Sequence, residues 1–182
     1  MTTATLNTVS STSTRLRLDD DRWVTIRPIE SSDADGLFDF YTRLSPRARV
    51  SRFLGASAGI ARPAATAFAS ADHVGSDGIV AILREPGPAD GEVVGHACLE
   101  PDDAGGEEVA LAVADGYRGR GIGKALMAAA VRSARRRGVH RLSAMLLATN
   151  QPMRQLMVTA GSHIASDHIE AGIEEIEVEL AA

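Results

Sequence analysis

From Arg15 onward the apolar residues fall into short runs bounded by turn residues, and segments with helical spacing interrupt those runs. "RLRL", the polar turn "DDDR" and "WVTIRPI" predict two strands, the second with Pro28 near its end. In "SSDADGLFDFYTRLS" Leu37, Phe38, Tyr41 and Leu44 share one helical side, with Ser32 or Asp33 as the cap. "SPRARVSRFLG" opens with Ser45 and Pro46 in cap and first-turn positions and predicts a short helix ending at Gly55. "RPAATAFASAD" is a third helical segment with weaker boundaries. The pattern then shifts to "GIVAILRE", "EVVGHACLEP" and "EEVALAVAD", three strand-like runs, the first two separated by the turn "PGPADG".

A glycine-rich turn follows, "ADGYRGRGIGK", and after it a helix whose one side carries Ile122, Leu126, Met127, Ala130, Val131 and Ala134. "HRLSAMLLAT" predicts a buried strand, "NQPMRQLMVTAG" a short helix capped by Asn150, and "IEEIEVEL" a last strand. Two strands, helices, three strands, helix, strand, helix and strand make an α/β arrangement with an antiparallel start and one strand–helix–strand crossover. Residues 1–14 are rich in Thr and Ser, nearly uncharged and aperiodic, and predict a disordered tail ahead of one domain over 15–182.

Composition narrows the chemistry. The net charge of −5 argues against a nucleic-acid coat or an acidic-membrane binder. A lone cysteine, Cys98, leaves no internal disulfide and no thiolate metal cluster, and in an apolar strand it reads as a buried thiol. The five histidines show no metal-ligand spacing, so no metal is expected. No apolar run approaches the ~20 residues of a membrane-spanning helix. The start lacks a basic stretch followed by an apolar core, so a cytoplasmic setting is expected. The run Arg132, Arg135, Arg136 and Arg137 reads as a solvated helix end, favourable to the helix dipole.

The glycine turn fits one phosphate-binding pattern and fails two others. A triphosphate P-loop needs a glycine at 118 and a hydroxyl at 125, where the chain has Arg118 and Ala125. A dinucleotide fingerprint needs its third glycine three residues after the second, but Gly119, Gly121 and Gly123 are spaced by two. Arg118-x-x-Gly121-x-Gly123, after an apolar strand and opening a helix, resembles the pyrophosphate loop of the GCN5-related N-acetyltransferase (GNAT) family. The order strand, loop, helix, strand, Asn, short helix, Gly over 107–161 extends that resemblance. The segment "VTIRPIESSDADGLFDFYTRLSPRARVSRFLG" is similar to the acetyltransferase domain of bacterial protein-lysine acetyltransferases.

The resemblance implies a mixed central sheet of about six or seven strands with helices on both faces. It implies acetyl-CoA as cosubstrate, its pyrophosphate held by the amides of Arg118, Gly119, Arg120, Gly121, Ile122 and Gly123, with Lys124 beside them. The main chain of Leu111, Ala112 and Val113 would pair with the pantetheine amides, and Asn150 would lie near that arm. The acceptor implied is a primary amine, a protein lysine before a small molecule, in a monomer or homodimer. A non-catalytic acyl-CoA-binding module is the competing reading. Transfer to an amine needs a base. Glu108 shares its strand face with Ala110, Ala112 and Ala114, which leave room for a ligand, whereas Glu107 shares the bulky Val109, Leu111 and Val113 face. Glu108 is therefore the expected base, acting through water; a bulge in the strand would hand the role to Glu107. Many family members carry a tyrosine acid where this chain has Met157, so either the leaving thiolate departs without a protein acid or another group supplies its proton.

Overall fold

The computed structural model describes residues 6–10, 13–55, 60–84 and 91–181. Nine strands form one sheet: β1 (Leu6–Ser10), β2 (Ser13–Arg17), β3 (Trp23–Pro28), β4 (Asp77–Arg84), β5 (Glu92–Pro101), β6 (Glu107–Val113), β7 (Arg141–Leu147), β8 (His163–Glu170) and β9 (Ile173–Glu179). Their spatial order is β1-β2-β3-β4-β5-β6-β7-β9-β8. Every neighbouring pair is antiparallel except β6 and β7, which the crossover helix makes parallel.

The helices fall in the predicted segments, but in the first of them Phe40 rather than Phe38 is buried with Leu37, Tyr41 and Leu44. α1 (Ala34–Arg43), α2 (Pro46–Phe53) and α3 (Arg62–Ala69) cover one face. There Leu37, Phe40 and Tyr41 pack against Val80, Ile82, Val93 and Ala112 of the sheet. α4 (Ile122–Arg136) and α5 (Gln151–Ala160) cover the other. Leu126, Ala130, Met153 and Met157 meet Ile79, Ala81, Val109, Leu142 and Ile176 there. Fully burying an aliphatic side chain is worth about 1.5–3 kcal/mol, so these two layers hold the fold and the loops above them are free to carry chemistry. Local signals set the helix ends: Ser45 accepts the Ala48 N–H at 3.2 Å to start α2, and Asn150 accepts the Met153 N–H at 3.3 Å to start α5. α2 stops at Leu54, in the left-handed region with φ 54°, one residue before the expected glycine.

The sheet is larger than expected, and both additions are edge strands. β8 is exposed along its whole length, so it carries no apolar alternation to read. Its turn into β9 is made by Ala171 (φ 50°) and Gly172 (φ 82°), the paired left-handed conformations of a tight hairpin. The tail expected over 1–14 also differs where it is described: Leu6–Ser10 pairs with Ser13–Arg17 across the first hairpin. Thr and Val suit strands, and an edge strand is held by backbone pairing. The remainder of that tail, residues 1–5 and 11–12, lies outside the described residues. No helix among the described residues is long and apolar enough to cross a membrane.

Candidate active site

The glycine turn ends one strand and starts the longest helix. Gly119 (φ 72°) and Gly121 (φ 87°) take left-handed conformations that other residues adopt at a cost, and Gly121 caps α4. No side chain caps that helix end, and the first helical bond runs from the Ala125 N–H to the Gly121 carbonyl at 3.0 Å. The amides of Ile122, Gly123 and Lys124 thus face outward at the positive end of the helix dipole. Lys124 is exposed in this first turn, where a cation is unfavourable unless an anion joins it.

The two arginines of the turn behave differently. Arg118 is exposed, and its Nε donates to the Val113 carbonyl at 3.3 Å. Arg120 instead reaches the β2–β3 turn, bonding Asp19 at 2.9 Å through Nε and pairing with Asp20 at 2.6 Å. Tyr117 joins this clamp by accepting from Arg22 Nη1 at 3.1 Å. Asp115 ties the turn to α2 by accepting the Ser45 N–H and Oγ at 3.0 and 2.9 Å. Burial pushes the Asp115 carboxyl up, but those two bonds and the Arg118 charge outweigh it and leave it below its ordinary value.

Upstream, β6 and β7 pair only at Glu107↔Leu142 and Glu108↔Ser143, whereas β6 stays paired with β5 through Val113. The strands diverge immediately after Glu108. The Ala114 N–H donates to the Val94 carbonyl at 2.9 Å on β5. By the alternation along a strand, Ala112 also turns its peptide groups to β5, and Leu111 and Val113 turn theirs into the open wedge. Of the three residues expected along the pantetheine arm, Leu111 and Val113 offer main-chain groups there; Ala112, paired with His96, does not. The wedge leads from Glu108 to the uncapped start of α4.

The two glutamates separate completely. Glu107 lies on the α4 face, 4% exposed, and receives Arg137 at 2.6 Å on one oxygen and at 2.8 and 3.2 Å on the other. Arg137 also donates to Asp77 at 2.7 Å and to Ser133 Oγ at 2.8 Å, and His73 Nδ1 lies 2.5 Å from the same aspartate. Glu107 is therefore neither a solvated strand start nor free to act as a base, and no bulge reverses the strand's parity. Arg137 likewise corrects the reading of a solvated helix end, because it turns inward. Its place three residues beyond Ala134 on the apolar stripe is the sequence signal for that. Glu108 lies on the α1–α3 face, partly exposed, paired across β5 with Glu100.

Along that face runs a row of polar groups under the helices. Tyr41 Oη and His96 Nδ1 are 2.9 Å apart, and both residues are fully buried. Burial, helped by the charge of Arg52, pulls His96 down to about 3, and burial pushes Tyr41 up to about 12. Cys98 is buried, as expected, and accepts from Arg52 Nη2 at 3.1 Å; burial pushes its thiol up. Sequence reasoning missed Arg52, although it follows the buried Ala48 by four residues on the inner side of α2. Asn150 has both polar atoms engaged, its amide donating to Ser51 Oγ at 2.9 Å while its oxygen caps α5. It thereby fastens α5 to α2 across the wedge. Met157 is fully buried on α5 and can offer no proton. Among the described residues no group of acidic, His and Cys side chains is arranged to hold a metal.

Strand wedge, glycine turn and uncapped helix together define an acyltransferase architecture. Residues 59–161 match the Acetyltransferase (GNAT) family. An acetyltransferase of Pseudomonas aeruginosa is 33% identical over 146 residues, spanning 79% of this chain and 77% of that one. The acetyltransferase Pat of Mycolicibacterium smegmatis is 39% identical over 71 residues, 39% of this chain and 21% of its own length. The crystal structure of the GNAT domain of S. lividans PAT superposes with a TM-score of 0.77 at 26% identity, covering 92% of this chain and 97% of that one. The chain belongs to the GNAT family of acetyltransferases.

Proposed function

We propose that this acetyltransferase takes its acetyl group from acetyl-CoA and delivers it to the side-chain amine of a protein lysine. The wedge that opens directly after Glu108 carries the reading. It leaves the Leu111 and Val113 main chain without β7 partners along a line that ends at the uncapped amides of α4. A pyrophosphate at those amides and Lys124 supplies the missing anion, and the pantetheine amides pair with β6 as an added strand would. Arg118 releases the Val113 carbonyl when the arm enters.

In the transfer step the amine nitrogen bonds to the thioester carbon, the C–S bond breaks with its electron pair on sulfur, and the amine proton passes to Glu108. The Leu111 N–H, which turns into the wedge without a β7 partner, would be available to the oxygen on which charge develops. The α-carbons of Glu108 and Leu111 are about 10 Å apart by strand rise, too far for direct contact with an amine at the thioester, so a water relays the proton. The thiolate leaves unaided, as a thiol pKa of about 8.5 permits. A lysine acceptor is favoured by the resemblance of the β3–α2 segment to protein-lysine acetyltransferases and by the likeness to the S. lividans PAT domain over nearly its whole length. Ala110, partly exposed two residues from Glu108 on the same strand face, leaves room there for a slender side chain.

The test is in two stages. Acetyl-CoA at 100 times its dissociation constant stabilises by about 2.7 kcal/mol and should raise the unfolding midpoint by several degrees, with CoA close behind and ATP and NAD inert. Lysine peptides and intact proteins incubated with acetyl-CoA are then read by mass spectrometry for acetyl-lysine. No midpoint shift refutes the cofactor assignment. A shift with acetylation of small amines only refutes the lysine acceptor.

A further inference from the structure

Arg52 is a buried cation whose counter-charge is missing. Its guanidinium carbon lies 4.9 Å from the Phe53 ring centre, 5.8 Å from Phe68 and 6.0 Å from Tyr41. Although the residue keeps some exposure, its Nε is sealed from solvent and has no hydrogen-bond partner. Nη2 donates to a thiol, Cys98 Sγ, and no carboxylate lies within ion-pair distance among the described residues. An arginine stays charged, and a charge is withdrawn from water only where something answers it.

The registers say what answers it. Cys98 pairs with Ala110 across β5 and β6, and the next rung on the same face is Glu100 with Glu108. Arg52 thus sits over the rung between the expected base and the open wedge, about 7 Å along the strand from Glu108. The other ionisable groups facing it do not supply a negative charge: Tyr41 on α1 is pushed up to about 12, and His96 on β5 is pulled down to about 3. Cys98 is held as a thiol by burial, while Glu100, raised by burial and by Glu107, is exposed to solvent. α3 contributes only the Phe68 ring, and Arg49 on α2 itself repeats the positive sign one turn earlier. Glu108 remains.

We propose that Arg52 is a positioning residue for acetyl transfer, its enclosed guanidinium holding the Glu108 carboxylate at the mouth of the wedge and keeping the arriving amine in its neutral form. The inference rests on the acetyl-transfer reading above. A lone carboxylate would hold the acceptor as an ammonium ion, which cannot attack; a fixed cation beside it removes that preference and disfavours the ammonium. Both effects act at the mouth of the wedge, on the strand face that Glu108 shares with Ala110.

The experiment is the pH profile of kcat/KM for a lysine peptide, measured for the wild type, Arg52→Gln and Arg52→Lys. Two like charges about 10 Å apart at an effective dielectric of about 20 differ by roughly one pH unit of amine ionisation. The glutamine variant should therefore move the ascending limb up by about one unit and lower kcat/KM near neutrality about tenfold, with KM for acetyl-CoA unchanged. Arg52→Lys should return the limb toward its original place. If the glutamine variant does not fold, Arg52→Met keeps an apolar stem against Phe53 and Phe68, and the same displaced limb is expected. A limb that stays in place in the folded neutral variant, whether activity falls uniformly or not at all, overturns the role of Arg52 and leaves the acetyltransferase reading intact. A wild type that acetylates no amine at any pH removes both.

Discussion

Exchanging a carboxylate for an amide at two adjacent positions should produce opposite phenotypes. Glu107→Gln and Glu108→Gln are the same chemical change one residue apart on β6, on opposite faces of the sheet. At Glu107 the side chain is 5% exposed and receives the Arg137 fork on both oxygens, while Arg137 is itself 11% exposed and shared with Asp77 at 3%. Breaking a buried pair costs about 3–5 kcal/mol. Glutamine keeps one acceptor and Asp77 keeps part of the charge balance, so about 2–3 kcal/mol is expected. For a domain of this size that corresponds to a fall in midpoint of roughly 5–10 °C.

At Glu108 the side chain is partly exposed and makes no direct ion pair among the described residues, so the same change, which removes only a distant counter-charge of Arg52, should cost no more than about 1 kcal/mol. Its effect should fall on turnover, by about 10²–10⁴-fold if it is the base. Thermal unfolding and single-turnover acetylation of both variants, with acetyl-CoA affinity as a control, decide the matter. The assignment fails if Glu107→Gln loses turnover at an unchanged midpoint, or if Glu108→Gln keeps full turnover.

Gly121→Ala should cost about 1–2 kcal/mol through its left-handed φ of 87° and weaken acetyl-CoA binding, whereas at Gly123 an added methyl would sit 3.5 Å from Leu156 Cδ1 and the fold should be unaffected. Calorimetric titration of both variants would show whether the ligand approaches Gly123 closely, since only then does the well-folded Gly123→Ala lose affinity. Acid stability should be governed first by His96, which is neutral when folded down to about 3 and ordinary when unfolded. The stabilisation is whole above about pH 6.5 and falls as the unfolded chain takes up a proton, by about 2 kcal/mol at pH 5. His96→Gln should flatten the midpoint between pH 7 and 5; an equally steep fall in that variant would place the sensitivity elsewhere.

Much of the site was legible because it depends on local rules. Alternation along "EEVALAV" puts Glu108 with the alanines, and the register with β5 preserves that parity without a bulge. Glycines spaced by two before an apolar helical stripe predict the turn, and two of them prove to be left-handed. The edges of the sheet were not legible. β8 is exposed at every position, and "LNTVS" in β1 has no amphipathic period, so neither signals a strand. Edge strands are held by backbone pairing, which side-chain patterns do not report.

The interior charges failed for a different reason. Arg137 and Arg52 both continue the buried side of their helices, so sequence spacing alone announces that each points inward. It does not announce the answering group, which is set by strands distant in the chain: Asp77 lies 60 residues before Arg137, and Cys98 lies 46 residues after Arg52. The sheet register brings those partners into place, and it does so unequally. Under α4 it delivers two carboxylates to Arg137 and the charge is balanced; under α2 it delivers a thiol and leaves a guanidinium nitrogen unbonded. Desolvation costs several kcal/mol for each buried ion, so an interior balanced on one face and unbalanced on the other separates the face that holds the fold from the face that holds Glu108.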